Sequence, residues 1–196
     1  MPNQRFEVPT WDQIYAMLVN QAERISGDHF KPDVIVGVSR GGLVPARIHS
    51  DLLENQNLAT VRTECYVGPV EKSVPVLSQE LSVCVDGKSV LVVDDIADTG
   101  RSLQHIKQHV VQKGAKQVRV ATLYWKRWSA LKPDYCERET GLWVVFPWDL
   151  RETVRNEFEN HRNLSATELS TRLVDCGLPK LQVDRFLKTM AGEAPC

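Results

Sequence analysis

Apolar and polar positions along this chain follow two periods, and the switches between them mark a succession of helices and strands. Trp11, Ile14, Tyr15, Leu18, Val19, Ala22 and Ile25 share one helical face, and Thr10 with Gln13 forms a capping box ahead of them. An amphipathic helix therefore opens the fold and ends before Gly27. The apolar run Val34 to Val38 reads as a strand; it ends in Ser39-Arg40-Gly41-Gly42 and enters a helix with Leu43, Ile48, Leu52 and Leu53 inward. Ala59 to Tyr66 predicts another strand, whereas Val67 to Ser82, with two prolines, mixed charge and no sustained period, predicts a long mobile loop of the kind that serves as a lid. Val90 to Val93 is continuously apolar and β-branched, as a central strand covered on both faces must be. A helix from Ser102 to Lys113 capped by Gly114, a strand from Gln117 to Tyr124 and a short strand around Trp143 to Phe146 follow. Strands alternating with helices imply an α/β fold with a doubly wound, mostly parallel sheet.

Beyond about residue 155 the pattern turns to helix and turn. Ser165 with Glu168 makes a second capping box, Leu169, Leu173 and Val174 form a stripe, Gly177 and Pro179 stop it, and Leu181 to Met190 can form another helix. The expected organisation is one main domain over residues 1–155 and a C-terminal helical hairpin over 156–196.

Composition narrows the class of protein. The chain has 196 residues, 42% of them hydrophobic and 25% charged, with a formal net charge of -1, so no global basic field recruits nucleic acid or an anionic membrane. The N-terminal MPNQRFEVPTW lacks an apolar signal core, and no run approaches the roughly 20 apolar residues that cross a bilayer. Cys65, Cys84, Cys136, Cys176 and Cys196 are scattered without metal-binding or disulfide spacing, as in a reducing cytoplasm, and the histidines form no ligand pattern. Any affinity for an anion must be built locally.

Such a site is written into Val90 to Ser102, VLVVDDIADTGRS. Asp94 and Asp95 fall at the carboxyl end of the buried strand, where open α/β sheets bind ligands. Thr99 and Ser102 offer hydroxyls, Gly100 lets the backbone approach closely, and the start of the next helix favours a phosphate dianion. Asp98 opposes an anion electrostatically, which points to a reacting or hydroxyl-binding role. Ser39 to Gly42 is a second strand-loop-helix of the same kind. The opening SVLVVDD is also similar to receiver domains, which need another Asp at the end of a later strand; Asp134 lies instead in LKPDY, where proline and charge argue for a loop.

VLVVDDIADTGRS closely resembles the signature of type I phosphoribosyltransferases that binds 5-phosphoribosyl 1-pyrophosphate (PRPP). Ser39-Arg40-Gly41-Gly42 matches that family's pyrophosphate loop, TWDQIYAML resembles its first helix, and TLYWK and LWVVFPWD resemble the purine-recognition end of xanthine-guanine and hypoxanthine phosphoribosyltransferases. The resemblance covers roughly residues 8 to 150. It implies the type I fold with a small hood, and transfer of ribose 5-phosphate from PRPP to a 6-oxopurine with release of pyrophosphate in purine salvage. Asp94 and Asp95 would hold the ribose hydroxyls, with Asp95 contacting magnesium. Asp98 would accept the purine N7 proton, and Asp98 with Thr99, Gly100, Arg101 and Ser102 would line the 5-phosphate site. Ser39, Arg40, Gly41 and Gly42 would take the pyrophosphate; in this family the peptide at that loop is often a non-proline cis bond, so Ser39–Arg40 is the place to look. Lys126 would donate to the 6-oxo group, Trp143 would stack on the ring, Val144 would offer main-chain contacts and Asp149 would support the pocket. Arg127-Trp128 follow the lysine where the family often has proline. The resemblance also implies a cytoplasmic homodimer or homotetramer. The alternative from a different class is a PRPP- or purine-sensing regulator, since Leu169 to Leu187 weakly resembles a helix-turn-helix; the balanced charges of Arg172, Lys180, Arg185 and Lys188 against Glu168, Asp175, Asp184 and Glu193 argue against DNA.

Overall fold

A computed structural model describes residues 5–66 and 74–192. In chain order the elements are β1 (Phe6–Glu7), α1 (Trp11–Gly27), β2 (Val34–Ser39), α2 (Leu43–Leu52), β3 (Leu58–Tyr66), β4 (Val74–Gln79) and β5 (Ser89–Ala97). They continue as α3 (Arg101–Gln112), β6 (Gln117–Trp125), β7 (Tyr135–Glu139), β8 (Trp143–Val144), α4 (Leu150–Asn160), α5 (Ala166–Asp175) and α6 (Lys180–Gly192).

The chain forms two units: Ile14–Gly141, and the described residues up to Gln13 together with those from Leu142 onward. The division therefore does not follow the change of character near residue 155. In the larger unit a six-stranded sheet runs in the order β4-β3-β2-β5-β6-β7, parallel throughout except that β4 is antiparallel to β3. This is the expected α/β sheet, wound in two directions from its middle. β2 leads through α2 to β3 on one side, and β5 leads through α3 to β6 and β7 on the other. The join between β2 and β5, with Val34 opposite Val90 and Gly37 opposite Val93, is the switch point.

β5 is apolar on both faces because both are covered. Val90 and Val92 pack with Leu103, Ile106 and Val110 of α3, while Leu91 and Val93 pack with Ile25 of α1 and Ala46 of α2. Each such fully buried side chain contributes about 1.5–3 kcal/mol. The Thr10–Gln13 capping box forms in both directions, at 3.0 and 3.2 Å, but the face of α1 that is buried differs from the expected stripe. Trp11 and Tyr15 are exposed, and Gln21 is buried instead, donating from Nε2 to the Thr122 carbonyl at 2.6 Å and meeting His49 Nε2 through Oε1 at 2.9 Å. Partners on β6 and α2 satisfy the amide, which is why a polar residue sits there.

Two strands of this larger unit arise where none was expected. Part of the predicted lid, Val74–Gln79, pairs with β3, because an edge strand needs only main-chain bonds on one side and no hydrophobic period; residues 67–73 of that segment lie outside the described residues. β7 is polar, YCERE, and is held as an edge strand beside β6. Asp134 is not in a strand; it accepts the Val120 amide at 2.7 Å just ahead of β7.

In the smaller unit β1 and β8 form a parallel two-stranded sheet, with Phe6 opposite Trp143. The expected hairpin becomes three helices, since α4 precedes α5 and α6. Val145, Leu150, Val154, Leu169, Leu173, Val183 and Leu187 form their common core. The Ser165–Glu168 capping box is complete. On α6, Lys180 Nζ pairs with Asp184 at 2.7 Å, and Asp184 also accepts from Ser170 of α5.

Candidate active site

Sheet topology brings together two loops that are far apart in sequence. β2 and β5 are hydrogen-bonded neighbours running the same way, so Ser39-Arg40-Gly41-Gly42 leaves β2 beside Asp94-Asp95, which lie in the carboxyl-terminal half of β5, and Asp98 to Ser102 follow where β5 ends at Ala97. The contact is close. A Cβ on Gly41 would collide with the Asp95 carboxylate, and one on Gly42 would collide with the Val93 carbonyl, so only glycine lets this loop lie against the acidic pair. The Ser39–Arg40 peptide is cis, at the position the resemblance singled out.

Asp95 is buried, and its amide donates to Asp94 Oδ1 at 3.0 Å. Burial holds the Asp94 carboxyl well above the usual carboxylate range, with repulsion from Asp95 adding to it and hydrogen bonds from the Asp95 and Gly42 backbone opposing it. Two ionised carboxylates side by side are therefore disfavoured unless a cation or a hydroxyl donor joins them.

Asp94, Asp98, Thr99, Gly100 and Ser102 line one depression of about 130 Å³. Gly100 stands at φ +72° as the N-cap of α3 and makes no side-chain cap, so the first amides of the helix are left for an external acceptor. Thr99 is exposed, and its Oγ1 lies 3.5 Å from the Arg101 amide; Arg101 itself is exposed.

The connection from β6 to β7 braces this loop. Lys126 N–H donates to the Ala97 carbonyl at 3.0 Å, Ala130 N–H donates to the Thr99 carbonyl at 2.9 Å, and the turn is closed by Ser129 N–H to the Lys126 carbonyl at 2.9 Å. Between those bonds Trp128 Nε1 donates to Asp98 Oδ1 at 3.1 Å. Lys126 is buried, with Nζ 5.1 Å from the centre of the Trp128 ring. Sequence reading passed over Trp128 except as a substitute for proline; an aromatic residue two positions beyond the lysine was the available signal.

Trp143, Val144 and Asp149 belong to the smaller unit. Trp143 is exposed and Val144 buried on β8, and Asp149 is the N-cap of α4. Phe146 and Trp148 stack there at 4.9 Å between ring centres.

Comparison with known proteins agrees with this geometry. The phosphoribosyl transferase domain matches residues 10–154. A xanthine-guanine phosphoribosyltransferase of Cereibacter sphaeroides is 29% identical over 156 residues, spanning 76% of this chain and 90% of that protein. The crystal structure of a purine phosphoribosyltransferase from Pyrococcus horikoshii superposes with a TM-score of 0.67 at 37% identity, covering 72% of this chain and 91% of that one. A xanthine-guanine-hypoxanthine phosphoribosyltransferase of Helicobacter pylori shares the fold at 20% identity, with a TM-score of 0.67 over 76% of this chain and 98% of that one. With the two loops meeting at the switch point and the domain running through both, this chain belongs to the phosphoribosyltransferase family, in its purine group.

Proposed function

We propose that this enzyme transfers the 5-phosphoribosyl group of PRPP to a ring nitrogen of guanine, xanthine or hypoxanthine, releasing pyrophosphate in purine salvage. The observation that carries this reading is the side-by-side placement of two anion-binding loops around an acidic pair at the ends of β2 and β5. A bond from the base nitrogen to C1 of the ribose forms as the bond from C1 to the pyrophosphate oxygen breaks, and the base gives up a proton. The sugar becomes oxocarbenium-like in between, so the leaving group must be neutralised while the base is held in line.

In this reading the Arg40 and Gly41 amides and the Arg40 guanidinium take the pyrophosphate, together with Ser39 and Gly42. Asp94 and Asp95 take the ribose hydroxyls, and Thr99 to Ser102 hold the 5-phosphate at the start of α3. Asp98 accepts the N7 proton. Lys126 donates to the 6-oxo group, a bond that adenine's amino group cannot accept. The roles of Trp143 in stacking, Val144 in main-chain contact and Asp149 in support rest on the motif alone.

The donor set suits magnesium: two adjacent carboxylates at a strand end, one of them resisting ionisation beside the other, match an ion that takes one or two carboxylates along with substrate phosphates. Asp95, with Asp94 beside it, would hold the ion, which when bound neutralises charge developing on the pyrophosphate. No helix among the described residues is long and apolar enough to cross a membrane. A cytoplasmic homodimer or homotetramer completes the proposal, and light scattering of the purified protein reads the assembly directly. The relatives described above carry the names of phosphoribosyltransferases, and the balance of acidic and basic residues on α5 and α6 does not favour DNA.

The test is pyrophosphate release from PRPP with each of the three bases, with and without magnesium. Turnover with at least one base, lost when the metal is chelated, is expected; failure with all three overturns the proposal.

A further inference from the structure

We propose that Trp128 is a positioning residue for Asp98: its indole N–H orients the carboxylate that accepts the purine proton, while its ring sets the place of the Lys126 ammonium. The inference rests on the function proposed above. An exposed tryptophan gains little from burial, and this one is 60% exposed, so core packing does not account for it. Its placement is nevertheless well determined. The turn that carries it is pinned by the Lys126–Ala97, Ser129–Lys126 and Ala130–Thr99 backbone bonds, at 3.0, 2.9 and 2.9 Å.

From that frame the indole reaches the Asp98 Oδ1 at 3.1 Å. The terminal torsion of an aspartate is broad, so an unheld carboxylate samples many orientations. A donor to one oxygen narrows that range and leaves Oδ2 as the oxygen turned to the substrate. The indole can only donate, so the contact fixes which carboxylate oxygen it occupies without competing for a proton. The same ring has Lys126 Nζ at 5.1 Å, within reach of its π face. One side chain thus touches both groups assigned to opposite polar demands of the base: acceptance of a proton and donation to the 6-oxo group.

Trp128→Phe keeps a ring beside Lys126 and removes the N–H. It is expected to lower kcat about tenfold, the worth of one hydrogen bond to a charged group, and to leave KM for PRPP within about twofold. Because the effect is transmitted through Asp98, the same change made in Asp98→Asn should cost less than about twofold. Trp128→Ala, which also removes the ring, should raise KM for the purine in addition. Wild-type kcat in Trp128→Phe overturns the positioning role while the proposed function stands; so does an equal loss in the Asp98→Asn background. A readout independent of turnover is the Trp128 indole resonance in proton–nitrogen spectra, assigned by its disappearance in Trp128→Phe. It should move in Asp98→Ala, and an unmoved resonance overturns the contact. If the wild-type protein turns over none of the three bases, the function fails by itself, and the resonance still decides whether Trp128 holds Asp98.

Discussion

Replacing Gly100 by alanine tests how tightly the loop from Asp98 to Ser102 is braced, and Gly87 provides the matched control. Both residues have a left-handed backbone, at φ +72° and +68°, so alanine costs about 1–2 kcal/mol at either from backbone conformation alone. Their surroundings differ. A Cβ at Gly87 would meet nothing within 4 Å, whereas one at Gly100 would collide with Ser129 Oγ and lie 2.7 Å from the Leu131 nitrogen and 3.0 Å from that of Ala130. Backbone nitrogens cannot swing aside, and Ser129 Oγ is held by its own bond to the Leu131 carbonyl at 2.8 Å, so the turn from 126 to 131 must shift. Overpacking of this kind adds about 1–3 kcal/mol, for a total near 3 kcal/mol at Gly100 against about 1 at Gly87. In a chain of this size that corresponds to a fall in Tm of about 6–12 °C against about 2–4 °C by thermal unfolding. Displacement of the turn also pulls on Thr99 and Asp98 through Ala130 and Trp128. Gly100→Ala should therefore lose PRPP turnover, and Gly87→Ala should keep it. Equal stability losses, together with wild-type activity in Gly100→Ala, would refute the reasoning.

Asp98→Asn should fold normally, because the amide oxygen can still accept from Trp128, and should bind PRPP within about twofold of wild type while turnover falls about 10²–10⁴-fold; equal loss of binding and turnover removes its role as proton acceptor. His49 is completely buried, with Nε2 on Gln21 and Nδ1 lacking a hydrogen-bond partner among the described residues, and burial lowers its pKa to about 4. The native state thus holds it neutral while the unfolded state protonates near pH 6.5, so its contribution is fully present above that value and is lost as pH falls toward 4. Urea unfolding should show about 2–3 kcal/mol less stability at pH 4.5 than at pH 7 from this group. His49→Gln should flatten that part of the profile, and an unchanged slope would show that His49 is not its source.

Much of the site is legible in the chain because its determinants are local. Val90 to Ser102 carries its own strand, acidic pair, turn glycine and helix start within one continuous segment, and Thr10 with Gln13 and Ser165 with Glu168 announce their helices through bonds three residues long. Periodicity and capping act over one turn or one pleat, so a linear reading captures them. It found β8 within the short strand around Trp143 to Phe146, but not β1, which at two residues is too short to show a period, nor the edge strands β4 and β7, whose main-chain bonds to a neighbour are indifferent to side-chain pattern. It also placed Trp11 and Tyr15 on the buried face of α1, where Gln21 is buried instead, because partners on other elements decide whether an amide can leave water.

The sequence by itself determined the alternation of strands and helices and the position of the two strand-loop-helix segments that carry the candidate site residues. Tertiary structure alone decided that β2 and β5 are neighbours, so that Gly41 lies against Asp95, and that the connection from β6 to β7 runs along Ala97 to Gly100, bringing Trp128 to Asp98. It also decided that the first residues join those from Leu142 onward in one unit. These pairings lie between residues tens of positions apart, and no local period encodes them; they follow from which apolar faces can be buried together and which backbone groups then find partners.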